Sequence, residues 1–510
     1  MNYEQFLEMI PEMYLVIILL AVFAVDFIVH RSEKKGDILS AVTLALMAVL
    51  PVRIALLAEP AEAFGGLYVT SEMANVMKVI LCFGTLIVLI MAEPWLKKDA
   101  SKYRGEFYML TISTLLGMFM MVSSGNFLMF FLGLETASVP MACLVALDKL
   151  KKISAEAAAK YILTATFSSG VMLYGISFVY GATGTLYFDD IANVLSGISQ
   201  FSDQMYLPIL GMVFFFSGLG FKLSLVPFHF WTADTYQGAP TPVTGYLSVV
   251  SKGAAALAAF IILTKVFGPL VEQWEMMLGI VIMLTITVGN LFAIRQSELK
   301  RFMAFSSISQ AGYIMLAVLG NSQLGATALT YYVLVYVVAN MAVFTVINAV
   351  EHSGVDKLTS GQVDKLGATN NSSTRQPVNS LTSMAAYNGF YETNPKLSFL
   401  MTLALFSLAG IPPFAGMFSK FFVFMAAVGG HEAAPFWVYL VVFIALINTV
   451  VSLYYYLLIV KAMYIKKTTT PLPTFQSDAN TKLALALCTL GIAAFGILSC
   501  IYNWIAAAAV

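Results

Sequence analysis

Apolar runs about twenty residues long, separated by short polar stretches, repeat along almost the whole chain. A helix needs about 20 such residues to cross the hydrocarbon core of a bilayer. The pattern predicts spans at 12–30, 38–57, 74–94, 107–122, 126–147, 157–181, 206–230, 241–265, 275–294, 302–319, 326–350, 397–428, 436–462 and 482–505. The expected fold is an all-α polytopic membrane protein of about 14 transmembrane helices, with residues 1–510 as one membrane domain.

The polar stretches test this count independently. Alternate stretches are basic: Arg31, Lys34 and Lys35; Lys97, Lys98, Lys102 and Arg104; Lys149, Lys151 and Lys152; Arg295, Lys300 and Arg301; Lys357, Lys365 and Arg375; Lys466 and Lys467. Those between carry almost no Lys or Arg, and several are acidic: Glu59, Glu62 and Glu72; Asp189, Asp190 and Asp203; Glu272 and Glu275. Basic loops mark the cytoplasmic side, so the alternation holds only for fourteen helices with both termini outside. The stretch 231–240, whose single charge is Asp234, is silent. Residues 353–395, rich in Ser, Thr, Asn and Gly, read as a flexible cytoplasmic loop. The outer polar stretch 182–205 is a candidate surface helix.

Composition fixes the solvent. Apolar residues make up 59% of the chain, charged residues 11%, and the mean hydropathy is +0.82; a soluble domain carries roughly 25% charged residues. A net charge of zero gives no reason to expect nucleic acid. The four cysteines, Cys82, Cys143, Cys488 and Cys500, lie singly in apolar runs, and the four histidines are scattered. Iron–sulfur and structural zinc sites take about four clustered ligands, so no redox centre or metal site is expected in this chain. The first apolar run follows Glu4, Glu8 and Glu12 rather than a basic segment, so no cleavable signal is expected.

Against this background four charges fall well inside spans: Glu135 in NFLMFFLGLETASVPM, Lys222 in SGLGFKLSLVPFHFW, Lys252 in YLSVVSKGAAALAAF and Lys420 in LAGIPPFAGMFSKFFVF. Each costs roughly 2.5–3.5 kcal/mol at the bilayer centre on insertion scales. Three cations and one anion cannot all pair. A plain account is one ion pair fixing helix register, with the other lysines snorkelling. The sharper account is a proton relay. Removal from water favours release of an ammonium proton and a nearby carboxylate favours retention, so a Glu–Lys pair of changing separation can load and unload without a metal. Glu156 and Lys160 are either part of an entry route or a solvated i,i+4 pair. Lys78 lies nearer the outer end of its span and could snorkel, and Glu93 and Asp26 fall at inner interfaces.

Two spans are expected to be broken. The seventh carries Pro227 five residues after Lys222, and the twelfth carries Gly410, Pro412, Pro413 and Gly416 just before Lys420. Proline removes a backbone donor and clashes with the preceding turn, which lipid tolerates only where the break lines a cavity or packs within protein. Interrupted helices in corresponding halves are the sign of inverted repeats; the units would be 107–265 and 275–462, five helices each. An ordinary proline kink in each helix is the plainer account.

These residues carry a resemblance. The run GFKLSLVPFHFWTADTYQGAPTPVTGYLSVVSK (Gly220–Lys252) resembles the subunit N family of bacterial NADH:quinone oxidoreductase, respiratory complex I. LGLETASVP around Glu135, EAAAKYILTATFSSG around Lys160 and LAGIPPFAGMFSKFFVF around Lys420 extend the resemblance over nearly the whole chain. It implies fourteen helices with two inverted five-helix repeats and broken helices 7 and 12. It also implies Glu135 paired with Lys222, Lys252 as the central relay, and Lys420 facing a second half-channel. His229 joins Glu156 and Lys160 as a candidate for the proton route. Two departures stand out: Ala233 where the family usually has Pro, and a stretch 353–383 longer than the family's usual connection.

On this reading the chain contributes proton transfer to an NADH:quinone oxidoreductase in the bacterial inner membrane. NADH, FMN, iron–sulfur clusters and quinone would belong to the complex, and the partners would be its other membrane subunits and lipid. The alternatives are a secondary sodium/proton antiporter subunit of Mrp type, or the membrane arm of a hydrogenase or ferredoxin-driven complex.

Overall fold

The computed structural model describes residues 3–29, 35–198, 203–320, 322–353, 380–430, 434–468 and 472–509. Among them, thirteen helical stretches are long and apolar enough to cross a bilayer. In chain order the helices are α1 (Ile10–Ile28), α2 (Lys35–Leu57), α3 (Glu72–Lys98), α4 (Arg104–Val122), α5 (Phe127–Val145), α6 (Lys152–Thr183) and α7 (Phe188–Gly197). Then follow α8 (Tyr206–Leu223), α9 (Phe230–Gly238), α10 (Thr241–Ile261), α11 (Val271–Ile294), α12 (Leu299–Leu316) and α13 (Gln323–Glu351). The series ends with α14 (Phe390–Thr393), α15 (Pro395–Ala409), α16 (Ala415–Gly429), α17 (Phe436–Tyr464), α18 (Ala479–Ile497) and α19 (Ser499–Ala507). Neither α15 nor α16 is long enough to cross alone; end to end they supply the fourteenth crossing, and the expected count stands.

Two helices sit at the centre. The apolar windows of α12 and α13 are wholly buried, whereas those of α1, α2, α6, α17 and α18 are buried over about a third or less. The sequence accounts for this placement. α12 carries Ser306, Ser307, Ser309 and Gln310 in mid-span, and such groups need protein partners that lipid cannot supply. α13, apolar on every side, touches α3, α10, α12, α15, α16 and α18. Elsewhere small residues let backbones meet, as in many membrane bundles. A Cβ on Gly117 of α4 would lie 2.7 Å from the Gly133 carbonyl oxygen of α5, and one on Gly133 would lie 2.8 Å from that of Gly117.

The structure departs from the sequence reading in several places. The stretch 231–240 is not a loop: α9 carries the seventh crossing on to Gly238, because the break falls after Leu223 and the helix resumes beyond Pro227. The stretch 353–395, expected as a flexible loop, is structured in its described C-terminal part. Residues 354–379 lie outside the described residues, but Ser380–Thr382 and Met384–Tyr387 form 3₁₀ turns and α14 follows. That segment stays in place because Tyr387 and Phe390 are fully buried and Met384 N–H donates to the Ser297 carbonyl. The stretch 482–505 divides at Leu498 into α18 and α19. A two-stranded hairpin, β1 (Ala61–Ala63) against β2 (Tyr68–Thr70), is the one strand pair among the described residues. The surface helix expected in 182–205 is α7, which buries Phe188, Ile191 and Leu195.

Lys78 does not snorkel. Its side chain is fully buried, forms an ion pair with Glu12 of α1 at 2.8 Å, and donates to the hydroxyls of Tyr68 (3.2 Å) and Thr70 (3.3 Å) on the hairpin. Tyr68 donates in turn to Glu12 at 2.9 Å. One ammonium therefore ties α1, α3 and the hairpin together. Glu93 is buried too, accepting from Ser40 and Tyr108.

Removing one member of a buried pair strands the other and costs roughly 3–5 kcal/mol, while replacing both with apolar side chains is often neutral. Glu12→Gln should therefore lower thermal stability in detergent, and Glu12→Leu combined with Lys78→Met should recover most of the loss. A double variant no more stable than Glu12→Gln would mean the pair is not what holds α1.

Candidate functional site

Both helix breaks create the same local arrangement, a lysine beside the C-terminal end of a half-helix. α8 ends at Leu223 because Ser224 takes a left-handed conformation (φ 62°), and Lys222 occupies the last helical turn. α15 ends at Gly410 (φ +85°), and Lys420, on α16, donates to the carbonyl of Ala409 at 3.0 Å. The exposed carbonyls at a helix C-terminus carry partial negative charge, so each break offers an ammonium an electrostatic partner without a carboxylate. The freed backbone groups find partners as well. Val226 N–H donates to Thr285 at 3.0 Å, Gly416 N–H to Ser407 at 3.3 Å, and Gln310 to the Leu408 carbonyl at 3.3 Å. The half-helices nearly touch at the second break: a Cβ on Gly416 would collide with the Ser407 carbonyl oxygen.

Glu135 and Lys222 do not form an ion pair in this structure. Lys222, 4% exposed, donates to Ser138 at 2.9 Å, while Glu135 accepts from Ser169 of α6. Ser138 lies one turn along α5 from Glu135, so the two charges share a helix face with a hydroxyl between them. They remain within Coulombic reach.

Lys252, 1% exposed on α10, donates to the Ser307 hydroxyl at 2.7 Å and the Ser307 carbonyl at 3.3 Å, and its ammonium lies 5.7 Å from the centre of the Tyr236 ring. Tyr236 meets the same Ser307 hydroxyl at 3.3 Å. One turn further along α12, Gln310 accepts from Tyr332 and donates to Tyr456 at 3.2 Å. Gln310 also lines, with Tyr332, Tyr336, Ser407, Ser419 and Lys420, a cavity of about 10 Å³, roughly the room for one water. Lys420 completes the line, 5.0 Å from the Tyr313 ring centre. Lys252 thus bonds to Ser307 of α12, and Lys420 shares a small cavity with Gln310 one turn further along that helix.

Between Lys222 and Lys252 stand Tyr161, Trp231 and Tyr236, with ring centres 5.1 Å apart (Tyr161–Trp231) and 6.4 Å apart (Trp231–Tyr236). The hydroxyls of Thr232 and Thr235 are buried with no hydrogen-bond partner among the described residues. Buried polar groups normally have a protein or water partner, so this corridor is suited to ordered water. His229, 8% exposed, stacks on Phe230 in the first break, and its Nδ1 is likewise unpartnered among the described residues.

Lys160 is not in this line. Its half-exposed ammonium bridges Glu156 at 2.7 Å and Asp234 of α9 at 2.8 Å, and Asp234 also binds Arg301 of α12. The i,i+4 pair read from the sequence is one arm of a network holding the second half of the broken helix to α6 and α12. The sequence reading missed Asp234 and Arg301 because nothing local links them. It also missed Ser138, Ser307 and Gln310. Gln310, an amide in mid-span, is the one of these with a signal in the sequence, since polar side chains within a span are costly.

Among the described residues no group of three or more His, Cys, Asp or Glu side chains is placed to hold a metal. Comparison with known proteins gives one consistent answer. The family model described as NADH:quinone oxidoreductase/Mrp antiporter, TM, matches residues 124–452. An NADH-quinone oxidoreductase subunit N from Phocaeicola vulgatus is 52% identical over 99% of this chain and 98% of its own length. The protein of the same name from Azobacteroides pseudotrichonymphae is 46% identical over 99% and 98%. A chain of respiratory complex I from Thermus thermophilus superposes with a TM-score of 0.75 at 28% identity, covering 96% of this chain and 98% of that one. A chain of the Mrp complex from a Dietzia species gives 0.77 at 18% identity, covering 99% and 97%, a likeness of fold alone.

The second break makes a contrast measurable. At Gly410 a side chain meets both a left-handed backbone, worth about 1–2 kcal/mol, and Lys420 Cδ at 3.1 Å from the new Cβ. At Gly170, in mid-α6, a Cβ meets nothing within 4 Å, and alanine suits a helix better than glycine. Gly410→Ala should lower thermal stability in detergent while Gly170→Ala leaves it equal or higher. Equal effects would show that the half-helix end is not under conformational constraint.

Proposed function

The chain belongs to the NADH:quinone oxidoreductase/Mrp antiporter membrane-subunit family, and from that premise we propose that it is the proton-translocating subunit N of an NADH:quinone oxidoreductase. Electron transfer from NADH to quinone, with its FMN and iron–sulfur clusters, takes place in partner subunits, and this chain moves protons in response. The observation that carries the reading is the line of buried lysines, each held by neutral oxygens rather than by a carboxylate: Lys222 by Ser138, Lys252 by Ser307, Lys420 by the end of α15. A fixed structural cation is better served by a hydrogen-bonded counter-charge. A group that must gain and lose a proton is better served by neutral partners that hold either form. The antiporter alternative rests on fold likeness at 18% identity, and the 52% identical relative favours subunit N.

Glu135, one turn from the Ser138 that holds Lys222, is the charge whose approach or withdrawal would bias that lysine. Two inverted units, 107–265 and 275–462, account for the paired features. Each begins with two helices packed through glycine, Gly117 with Gly133 in the first and Gly289 with Ser309 in the second, and each contains one broken helix. The basic ends face the cytoplasm and both termini face outward. Single cysteines at Lys149 and Asp190, in a background lacking the native ones, should label with an impermeant thiol reagent from opposite sides of the membrane. Labelling from one side would remove the proposed orientation.

The decisive test is on Lys252. Arginine keeps the charge, but with a pKa above about 12 it effectively never releases its proton. Lys252→Arg should lose NADH-driven acidification of inverted vesicles nearly as completely as Lys252→Met, with quinone reduction falling alongside and subunit abundance unchanged on immunoblots. An arginine variant pumping at full rate would rule out deprotonation of Lys252.

A further inference from the structure

Resting on that reading, the entry of protons to Lys252 can be placed. Below Lys252 the buried face of α10 carries a hydroxyl at nearly every turn: Thr241, Thr244, Ser248 and Ser251, all 2% exposed or less. From Thr241 to Lys252 is about 16 Å along the axis. Three of its four levels carry a hydrogen bond to a neighbouring segment. Thr244 donates to the Tyr236 carbonyl at 3.1 Å, Asn340 to the Ser248 hydroxyl at 2.6 Å, and Ser307, which holds Lys252, to the Ser248 carbonyl at 3.4 Å. At its lower end Thr241 donates to a carboxylate, Glu351, at the last position of α13.

A second carboxylate lies within electrostatic range of it. Glu298 caps the N-terminus of α12 by accepting from Arg301 N–H at 2.7 Å, and is only 7% exposed. Burial, first of all, raises the pKa of its carboxyl group; Lys300, donating nearby to the Ala239 carbonyl at 2.6 Å, opposes the rise. Both carboxylates act electrostatically on Tyr387. Its hydroxyl is fully buried, within Coulombic reach of Glu351 and Glu298, and without a hydrogen-bond partner among the described residues. Lys151 adds positive charge near Glu351.

We propose that Glu351, supported by Glu298 and Tyr387, is the site that takes up cytoplasmic protons and passes them along the α10 hydroxyl stripe to Lys252. In the transfer a carboxyl O–H of Glu351 breaks, each hydroxyl accepts one proton and hands on another, and an N–H forms on the neutral amine of Lys252. No electron moves, and the Glu351 carboxylate is reset by a proton from cytoplasmic water. Glu351 itself is only part-buried, at a helix end.

The test uses the intact complex in inverted vesicles. Glu351→Gln keeps the size and the acceptor for Thr241 but cannot ionise; pumping and coupled turnover should fall roughly tenfold or more, as for loss of a positioned proton-transfer group. Glu298→Gln added to it should lower both further. Glu351→Asp should retain much of the activity. Formate, a small diffusible acid, should restore turnover to Glu351→Ala in uncoupled vesicles but not to Lys252→Met, a readout that a purely structural role would not move. Thr241→Val, which keeps side-chain shape and removes the hydroxyl, should slow turnover in complexes of normal abundance and tests the route if the glutamate variants fail to assemble. Full activity in Glu351→Gln with Glu298→Gln, or in Thr241→Val, overturns the proposal, as does failure of formate to act. If those variants are active while Lys252→Met is dead, the entry site alone is wrong; if Lys252→Met also pumps, the relay itself is wrong.

Discussion

Burying an ammonium in a medium without water is the constraint on which the rest of this architecture depends. Each lysine in the interior needs an oxygen partner, and lipid offers none. At two of the sites the lysine lies beside an interruption of a membrane helix, and at one of them the helix end itself supplies the oxygen. At Lys420 the donation to Ala409 is direct; Lys222 sits in the closing turn of α8 and takes a hydroxyl from α5. The interruptions impose demands of their own, since every broken helix frees backbone groups. Thr285, Ser407 and Gln310 answer them, and those residues must then lie inside the bundle as well.

The centrality of α12 follows. It lies where its serines and Gln310 serve Lys252 on one side and the second break on the other, and α13 closes over it with Tyr332, Tyr336 and Asn340. α1, α2, α6, α17 and α18, largely exposed, form the outer boundary. Two ion-pair systems pin that boundary to the interior at opposite ends of the bundle. Near the acidic end, Lys78 and Glu12 hold α1 and the hairpin to α3. Near the basic end, Asp234 holds α9 between Lys160 and Arg301. The first is fully buried and bears on stability. The second is half-exposed and screened by water, and its contribution lies in where it places Tyr236, two residues on, rather than in energy.

Holding a buried lysine with neutral oxygens separates this arrangement from an ordinary buried salt bridge. A carboxylate in direct contact favours the charged state of its partner. A serine hydroxyl can accept from the ammonium or donate to the free amine, so it serves both states. Glu135, one turn away from the serine that holds Lys222, can bias that balance without fixing it.

Much was decided by sequence alone, for reasons of scale. Span length, the alternation of basic and acidic loops, and the cost of a charge in lipid are large, local effects, so fourteen crossings, two broken helices and the four interior charges could be read residue by residue. Which oxygen each charge meets could not. Ser138 is eighty-four positions from Lys222 and Ser307 fifty-five from Lys252, and a serine in an apolar helix bears no local mark of what it will touch. The resemblance implies that Glu135 pairs with Lys222, and only the packing of α5, α6 and α8 gave Glu135 to Ser169 and Lys222 to Ser138. The segment after 380 reads as loop because its turns are polar, yet Tyr387 and Phe390 anchor it. Lys78 looked able to reach water, and it is held inside by a carboxylate sixty-six residues earlier in the chain. Hydropathy acts on each stretch separately, whereas the partner of a buried polar group is set by which helices pack together, and that is a property of the whole bundle.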